Sequence, residues 1–361
     1  MERTGFSDLP LHYGKAPSWL FQRMVKLSKN ITQAIVFEYG EKEFLKRLSN
    51  PFWFQAFGCV LGFDWHSSGL TTTVTGALKE ALSPETGICV AGGKGKASRT
   101  TLFQIEKAAE TVSLSENKLK KLKHASRMSA KIDNTCVQDG YKLYHHVIFF
   151  TEKGEWCVVQ QGLNPEERYA RRYHWFSENM NSWVNEPHTG IVCDKKGKRV
   201  LDLTAKESKD TRKTSVDLVK EKPEKLLTLL SFQTTLDFPF LKLPKTHEIR
   251  EMRKINIETL RKAYEFQPEN YEELVSLKGI GPKTIRALAL ISELVYGDAP
   301  SWKDPAKFSF SHGGKDRIPY PVDKETYDKS IEILETGIQE AKIRSRERLQ
   351  ALKRLKDFLK F

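Results

Sequence analysis

Between Pro268 and Gly297 the chain reads PENYEELVSLKGIGPKTIRALALISELVYG, and the spacing of those residues carries its sharpest chemical signal. Leu274, Val275 and Leu277 close one short helix, Gly279-Ile280-Gly281 makes a tight turn, and Ile285, Leu288, Ala289, Ile291 and Leu294 continue at helical spacing. The glycines permit close backbone approach, and the second helix begins with amides that have no partner within the helix. Oriented amides at a positive helix end grip phosphate without reading sequence.

Two further strings combine cations with groups that suit a polyanion. GGKGKASR, residues 92–99, has the glycines of an anion nest beside Lys94, Lys96 and Arg99, although it lacks the spacing of a nucleotide-triphosphate loop. It is either a phosphate contact or a basic surface loop. RYARRYHW, residues 168–175, interleaves Arg168, Arg171 and Arg172 with Tyr169, Tyr173, His174 and Trp175. That mixture suits backbone neutralisation with base stacking, or else a helix with an aromatic core face and solvated arginines. Asp64, His66, Asp133, Asp139, His145, His146 and His174 are metal-ligating types, but their spacings match no metal motif. Neighbours on a strand face opposite sides, so His145 and His146 cannot both enter one site. Hydrogen-bonded histidines are the simpler reading, and no metal or other cofactor is expected.

The whole chain agrees in sign. Its 361 residues carry 59 Lys and Arg against 46 Asp and Glu, a net charge of +13, which fits a polyanionic partner. The five Cys never form a CxxC pair, so neither a disulfide framework nor a zinc ribbon is indicated. The first residues lack the apolar core of a signal peptide, and no apolar run is long enough to cross a bilayer. The expectation is a cytoplasmic, nucleoid-associated protein with no membrane partner.

The elements that must position these groups are of both kinds. Residues 15–62 read as helical with a break at Asn50-Pro51, and TLFQIEKAAETVSLSENKLKKLKHASRMSAKI reads as an amphipathic, Lys-rich helical stretch. YKLYHHVIFF and EWCVVQQ are β-branched and aromatic runs joined by Thr151-Glu152-Lys153-Gly154, a hairpin length. TGIVCD and RVLDLTA are shorter strands. The fold class is α+β. A boundary in FQTTLDFPFLKLPKTH divides a mixed α+β domain, 1–235, from an all-α helix-hairpin-helix domain, 236–361.

LKGIGPKT resembles the hairpin of the helix-hairpin-helix (HhH-GPD) DNA glycosylase superfamily. In its lyase-active members a Lys stands two residues after the second hairpin glycine, which here is Lys283, followed by Thr284. Downstream, the superfamily has a Gly/Pro-containing loop that ends in a catalytic Asp. FSHGGKDRIPYPVD ends in Asp323, farther from Lys283 than in the shortest members. The resemblance implies excision of a damaged base, an oxidised or deaminated pyrimidine, from double-stranded or locally unpaired DNA. Lys283 would attack the sugar carbon, Asp323 would take the proton and stabilise the sugar cation, and an imine would permit lyase scission. Gly279, Ile280, Gly281 and Thr284 would hold the backbone, while Trp302, Phe308, Phe310 and His312 would meet the extruded base. No Cys follows Cys193, so the iron–sulfur loop of some relatives is absent. Asp323 is followed by Lys324-Glu325-Thr326 rather than the usual small residue and His. Beyond the hairpin, DWHSSG, GGKGKASR, QDGYKLYHH and RYARRYHW resemble a mainly archaeal domain-of-unknown-function family, DUF763. Two alternatives stay open: a metal-dependent nuclease with its chemistry in the N-terminal domain and the hairpin as clamp, and a non-enzymatic DNA-binding protein.

Overall fold

KLYHHVIFFT forms the central strand β3 (Lys142–Thr151), and every residue from His145 onward is buried. A run buried on both faces needs cover on both sides of its sheet, and β3 receives it. In the computed structural model, which describes residue 16, residues 18–63, 69–166, 169–193, 196–226, 228, 257–306, 315–316, 318–319 and 336, the sheet is the middle of three layers. β3 pairs antiparallel with β4 (Trp156–Asn164) across the expected turn, where the Gly154 amide donates to the Thr151 carbonyl at 3.0 Å. β5 (Tyr169–Phe176) and β6 (Gly190–Val192) extend the sheet on one side and β1 (Ile88–Lys94) on the other, giving the order β1-β3-β4-β5-β6.

Alternation along the strands sorts the core into two clusters. Val147, Phe149, Cys157 and Val159 pack against an N-terminal layer of α1 (Ser18–Tyr39), α2 (Glu41–Ser49), α3 (Pro51–Val60) and α4 (Gly69–Ala81). The expected break at Asn50 is the cap of α3, whose side chain accepts from the Phe52 and Trp53 amides at 2.9 and 3.3 Å. Ile148, Phe150, Trp156 and Val158 face the other way, toward α7 (Glu116–Thr135). Burying side chains of this size contributes about 1.5–3 kcal/mol each, so both faces of β3 stabilise the fold.

Between β1 and α7 run α5 (Lys96–Arg99) and α6 (Thr101–Thr111), so the expected single helical stretch is broken at Val112–Ser115. A short ribbon of β2 (Val137–Gln138) and β7 (Leu201–Asp202) follows, and the polar stretch after it contains α8 (Lys209–Val219). The expected hairpin is present as helices Tyr271–Ser276 and Pro282–Ile291, preceded by a helix at Ile257–Phe266. Its Leu274, Val275, Ile280, Ile285 and Leu288 lie in the same buried cluster as Leu122, Met128 and Ile132 of α7 and Val216 of α8. The α+β class is therefore as expected. RYARRYHW is not helical: from Tyr169 it is β5, with seven of eight residues buried. Among the described residues no helix is long and apolar enough to cross a membrane.

Candidate nucleic-acid interface

The hairpin is set by local chemistry. Asn270 caps its first helix by accepting from the Glu273 amide at 2.9 Å, and Pro282 occupies the first turn of its second helix, where no amide partner is lost. Gly279 has φ +98, and a Cβ there would lie 2.9 Å from Thr259 Oγ1, so glycine is required. Gly281 is extended, at φ −135, and a Cβ there would meet only the Gly279 carbonyl oxygen, at an ordinary 3.9 Å. The turn thus depends on one glycine rather than two. Among the described residues the amides of Gly279 and Gly281 show no hydrogen bond, while Lys278 and Lys283 are exposed on either side of them. Ile280 and Thr284 are buried, so what the turn can offer a backbone at these two positions is main chain.

Lys131 of α7 ties this turn to the rest of the fold. Its ammonium donates to the Ile280 carbonyl and, at 3.4 Å, to the Leu277 carbonyl, and burial pulls its pKa below the usual lysine value. Gln138 donates to the Pro282 carbonyl at 2.8 Å and accepts from Arg286 Nε at 2.7 Å. The start of the second hairpin helix is therefore held by α7 and β2.

Lys131 also lines a cleft of about 780 Å³ bounded by α5, α6, α7, the start of β3 and Ser276 of the hairpin. Arg99 and Arg127 line it too, both exposed, and no Asp or Glu is among its described lining residues. Ser126, Arg127, Ala130, Lys131 and Asn134 recur at helical spacing, which places them along one side of α7. At the cleft's edge the glycine-lysine string forms the end of β1 and the turn into α5. A Cβ on Gly92 would lie 2.1 Å from the His146 carbonyl oxygen, so this close strand approach demands glycine. Lys79 bonds the Gly92 carbonyl at 2.5 Å and Gln104 Oε1 at 2.6 Å, and the latter accepts the Gly92 amide at 3.0 Å. Lys94, Lys96 and Arg99 are left exposed around this anchored turn.

Beneath the cleft runs a chain of hydrogen bonds that the sequence did not reveal. Ser126 Oγ lies 2.8 Å from His146 Nε2, His146 Nδ1 lies 2.8 Å from Gln160 Oε1, and Gln160 Nε2 donates to Asp133 Oδ2 at 2.5 Å. Asp133 accepts further from Trp175 Nε1 at 3.0 Å and from His188 Nε2. His146 and Gln160 are register partners on β3 and β4, which is why two residues so far apart in sequence meet. Burial pushes His146 down to about 4 and raises Asp133 above the ordinary carboxylate range, the latter opposed by His188.

The other sequence candidates divide. Arg171 and Arg172 are fully buried, a correction to their reading as DNA contacts. Arg171 pairs with Asp139 at 2.9 Å and Asp304 at 2.7 Å. Arg172 bonds Gln55 Oε1 at 3.0 Å and His174 Nε2 at 2.8 Å, with its guanidinium over the Phe54 ring. Charges so enclosed must be satisfied internally and cannot meet phosphate. Trp302 is half-buried, with Arg199 over its ring at 4.5 Å and Glu293 accepting from its indole at 3.2 Å, away from the cleft lining. Lys283 also lies outside that lining. Asp133 and His146 share Gln160 as a partner, Asp139, His145 and His174 bond elsewhere, and among the described residues no His/Cys/Asp/Glu group could hold a metal. Asp64, His66, Arg168, Phe308, Phe310, His312 and Asp323 lie outside the described residues.

The family described as "protein of unknown function (DUF763)" matches residues 5–322. No curated protein and no solved structure matches the chain.

Proposed function

We propose an activity for this chain, which belongs to the DUF763 family: it binds DNA through the hairpin and the glycine-lysine turn and excises a damaged base with Lys283 as nucleophile. The observation that carries the reading is Lys283 itself, exposed at the second position of the second hairpin helix, beside the Gly279 and Gly281 amides. Amides and lysines in that arrangement suit a phosphate backbone, and a lysine beside the backbone is within reach of a sugar exposed by an extruded base. The Lys283 amine would bond to the sugar C1′ as the base leaves with the bonding electrons. Loss of the second amine proton with opening of the sugar ring gives an imine, and removal of a C2′ proton then expels the 3′ phosphate. Asp323 is the proposed partner that accepts the lysine proton. An oxidised or deaminated pyrimidine is the proposed lesion.

Borohydride reduction of the imine tests this directly. With duplexes carrying such lesions, and with EDTA present, the wild-type chain is expected to form a covalent DNA adduct that Lys283→Ala abolishes. An adduct that persists in Lys283→Ala, or no adduct with any lesion while DNA still binds, contradicts the excision chemistry. The latter outcome favours the non-enzymatic DNA-binding reading, for which the exposed Lys94, Lys96, Arg99, Arg127 and Lys278 supply the charge.

A further inference from the structure

We propose that Ser126 is a nucleophile activated by His146, and that the cleft it lines takes a phosphodiester. The proposal goes beyond the excision reading and stands whether or not Lys283 forms an imine. Helical serines commonly return their hydroxyl to the carbonyl one turn earlier, as Ser129 does to Ala125 at 2.9 Å. Ser126, on the same helix, instead meets His146 Nε2 at 2.8 Å.

The direction of the chain fixes the proton positions. Gln160 spends its amide on Asp133, so its oxygen faces His146 Nδ1 and must accept from it. His146 therefore carries its proton on Nδ1 and offers the Nε2 lone pair to the Ser126 hydroxyl. Asp133 is in turn held by Trp175 and His188, so Gln160 and Asp133 act as positioning residues while Ser126 and His146 face the substrate. This is the nucleophile, base and orienting-group arrangement of covalent catalysis, with an amide between base and carboxylate.

Charge selects the substrate class. Arg99, Arg127 and Lys131 line the cleft without a described carboxylate, which favours an anionic ester, and Leu102 and Leu143 give apolar walls. The Ser126 oxygen bonds to phosphorus as its proton passes to His146 Nε2, the bond from phosphorus to the departing alcohol breaks, and that alcohol leaves with the proton from His146. Water then attacks the phosphoserine diester and gives a proton to His146. The bond from phosphorus to Ser126 breaks, and the serine oxygen recovers that proton. One diester and one water yield one alcohol and one monoester.

An alkyl fluorophosphonate, which transfers its phosphonyl group to an activated serine with loss of fluoride, tests the site in the full-length chain. Peptide mapping by mass spectrometry is expected to find the adduct on Ser126, its formation slowed by an excess of bis(p-nitrophenyl) phosphate. His146→Gln should slow it by on the order of 100-fold, the low end of what a positioned general base supplies. Should that variant fail to fold, mapping of the wild-type adduct still decides. No adduct on Ser126 after prolonged incubation, or labelling that favours Ser129, overturns the nucleophile. A Ser126 adduct whose rate is indifferent to His146→Gln overturns the activation, and one indifferent to the diester overturns the substrate class.

Discussion

Arg171 and Arg172 stand side by side on β5, and strand geometry sends them to opposite faces of the sheet. Each face supplies a different answer to the burial of a guanidinium. Arg171 meets Asp139 and Asp304, with the Tyr173 hydroxyl donating to Asp139 at 2.7 Å, whereas Arg172 meets amide, hydroxyl and imidazole groups. Removing a partner from a buried pair leaves uncompensated charge, so Arg171→Ala should lower stability by about 3–5 kcal/mol in urea unfolding. Exposed Lys94→Ala should change it by less than about 0.5 kcal/mol. His146 and His145 give a second prediction at this scale. Burial holds them at about 4 and about 3, against 6.5 for a free histidine, so below pH 6.5 the unfolded chain takes up protons that the folded chain refuses. Stability from this source is full above pH 6.5 and is lost as the pH falls toward the folded values. Urea unfolding between pH 6.5 and 5 should show the slope flattened in His146→Gln by up to about 1.4 kcal/mol per pH unit. Raised carboxyls such as Asp133 act in the opposite direction, so the difference between wild type and variant is the readout. Residue type in the sequence gave the charge of Arg171 and Arg172 but not their burial, because the partners that neutralise Arg171 lie on other segments.

The hairpin helices were legible because every signal for them is local: an Asn cap, a proline in the first turn, a glycine at positive φ and apolar residues at helical spacing. The strand pair β3–β4 was legible for the same reason. β5 was misread because Tyr169, Tyr173 and Trp175 allow an aromatic helix face as readily as a strand, and only pairing with β4 decides between them. The cleft was not legible at all, since Arg99, Ser126, Lys131 and His146 come from three elements that meet through tertiary packing. The hairpin yields a prediction that separates its two glycines. Gly279→Ala must adopt positive φ and crowd Thr259, and should cost more than about 1 kcal/mol in urea unfolding. Gly281→Ala, with extended backbone and no close contact, should stay within about 0.5 kcal/mol of wild type.

At the scale of the whole chain, two of the 59 Lys and Arg, Arg171 and Arg172, are enclosed and cannot meet a phosphate. The exposed cations include Lys278 and Lys283 at the hairpin, Arg127 on α7, and Lys94, Lys96 and Arg99 at the glycine-lysine turn. Packing of the hairpin against α7, which also lines the cleft, joins these cations into one candidate path for a phosphate backbone. Binding of a fluorescently labelled duplex, followed by anisotropy across a sodium chloride series, tests that path most directly. Affinity should fall linearly on logarithmic axes, and Lys94→Ala/Lys96→Ala/Arg99→Ala should flatten the slope by about 2–3, close to one counterion per cation removed. No binding at low salt, or a slope that the triple variant leaves unchanged, would contradict a DNA interface made of the hairpin and the glycine-lysine turn.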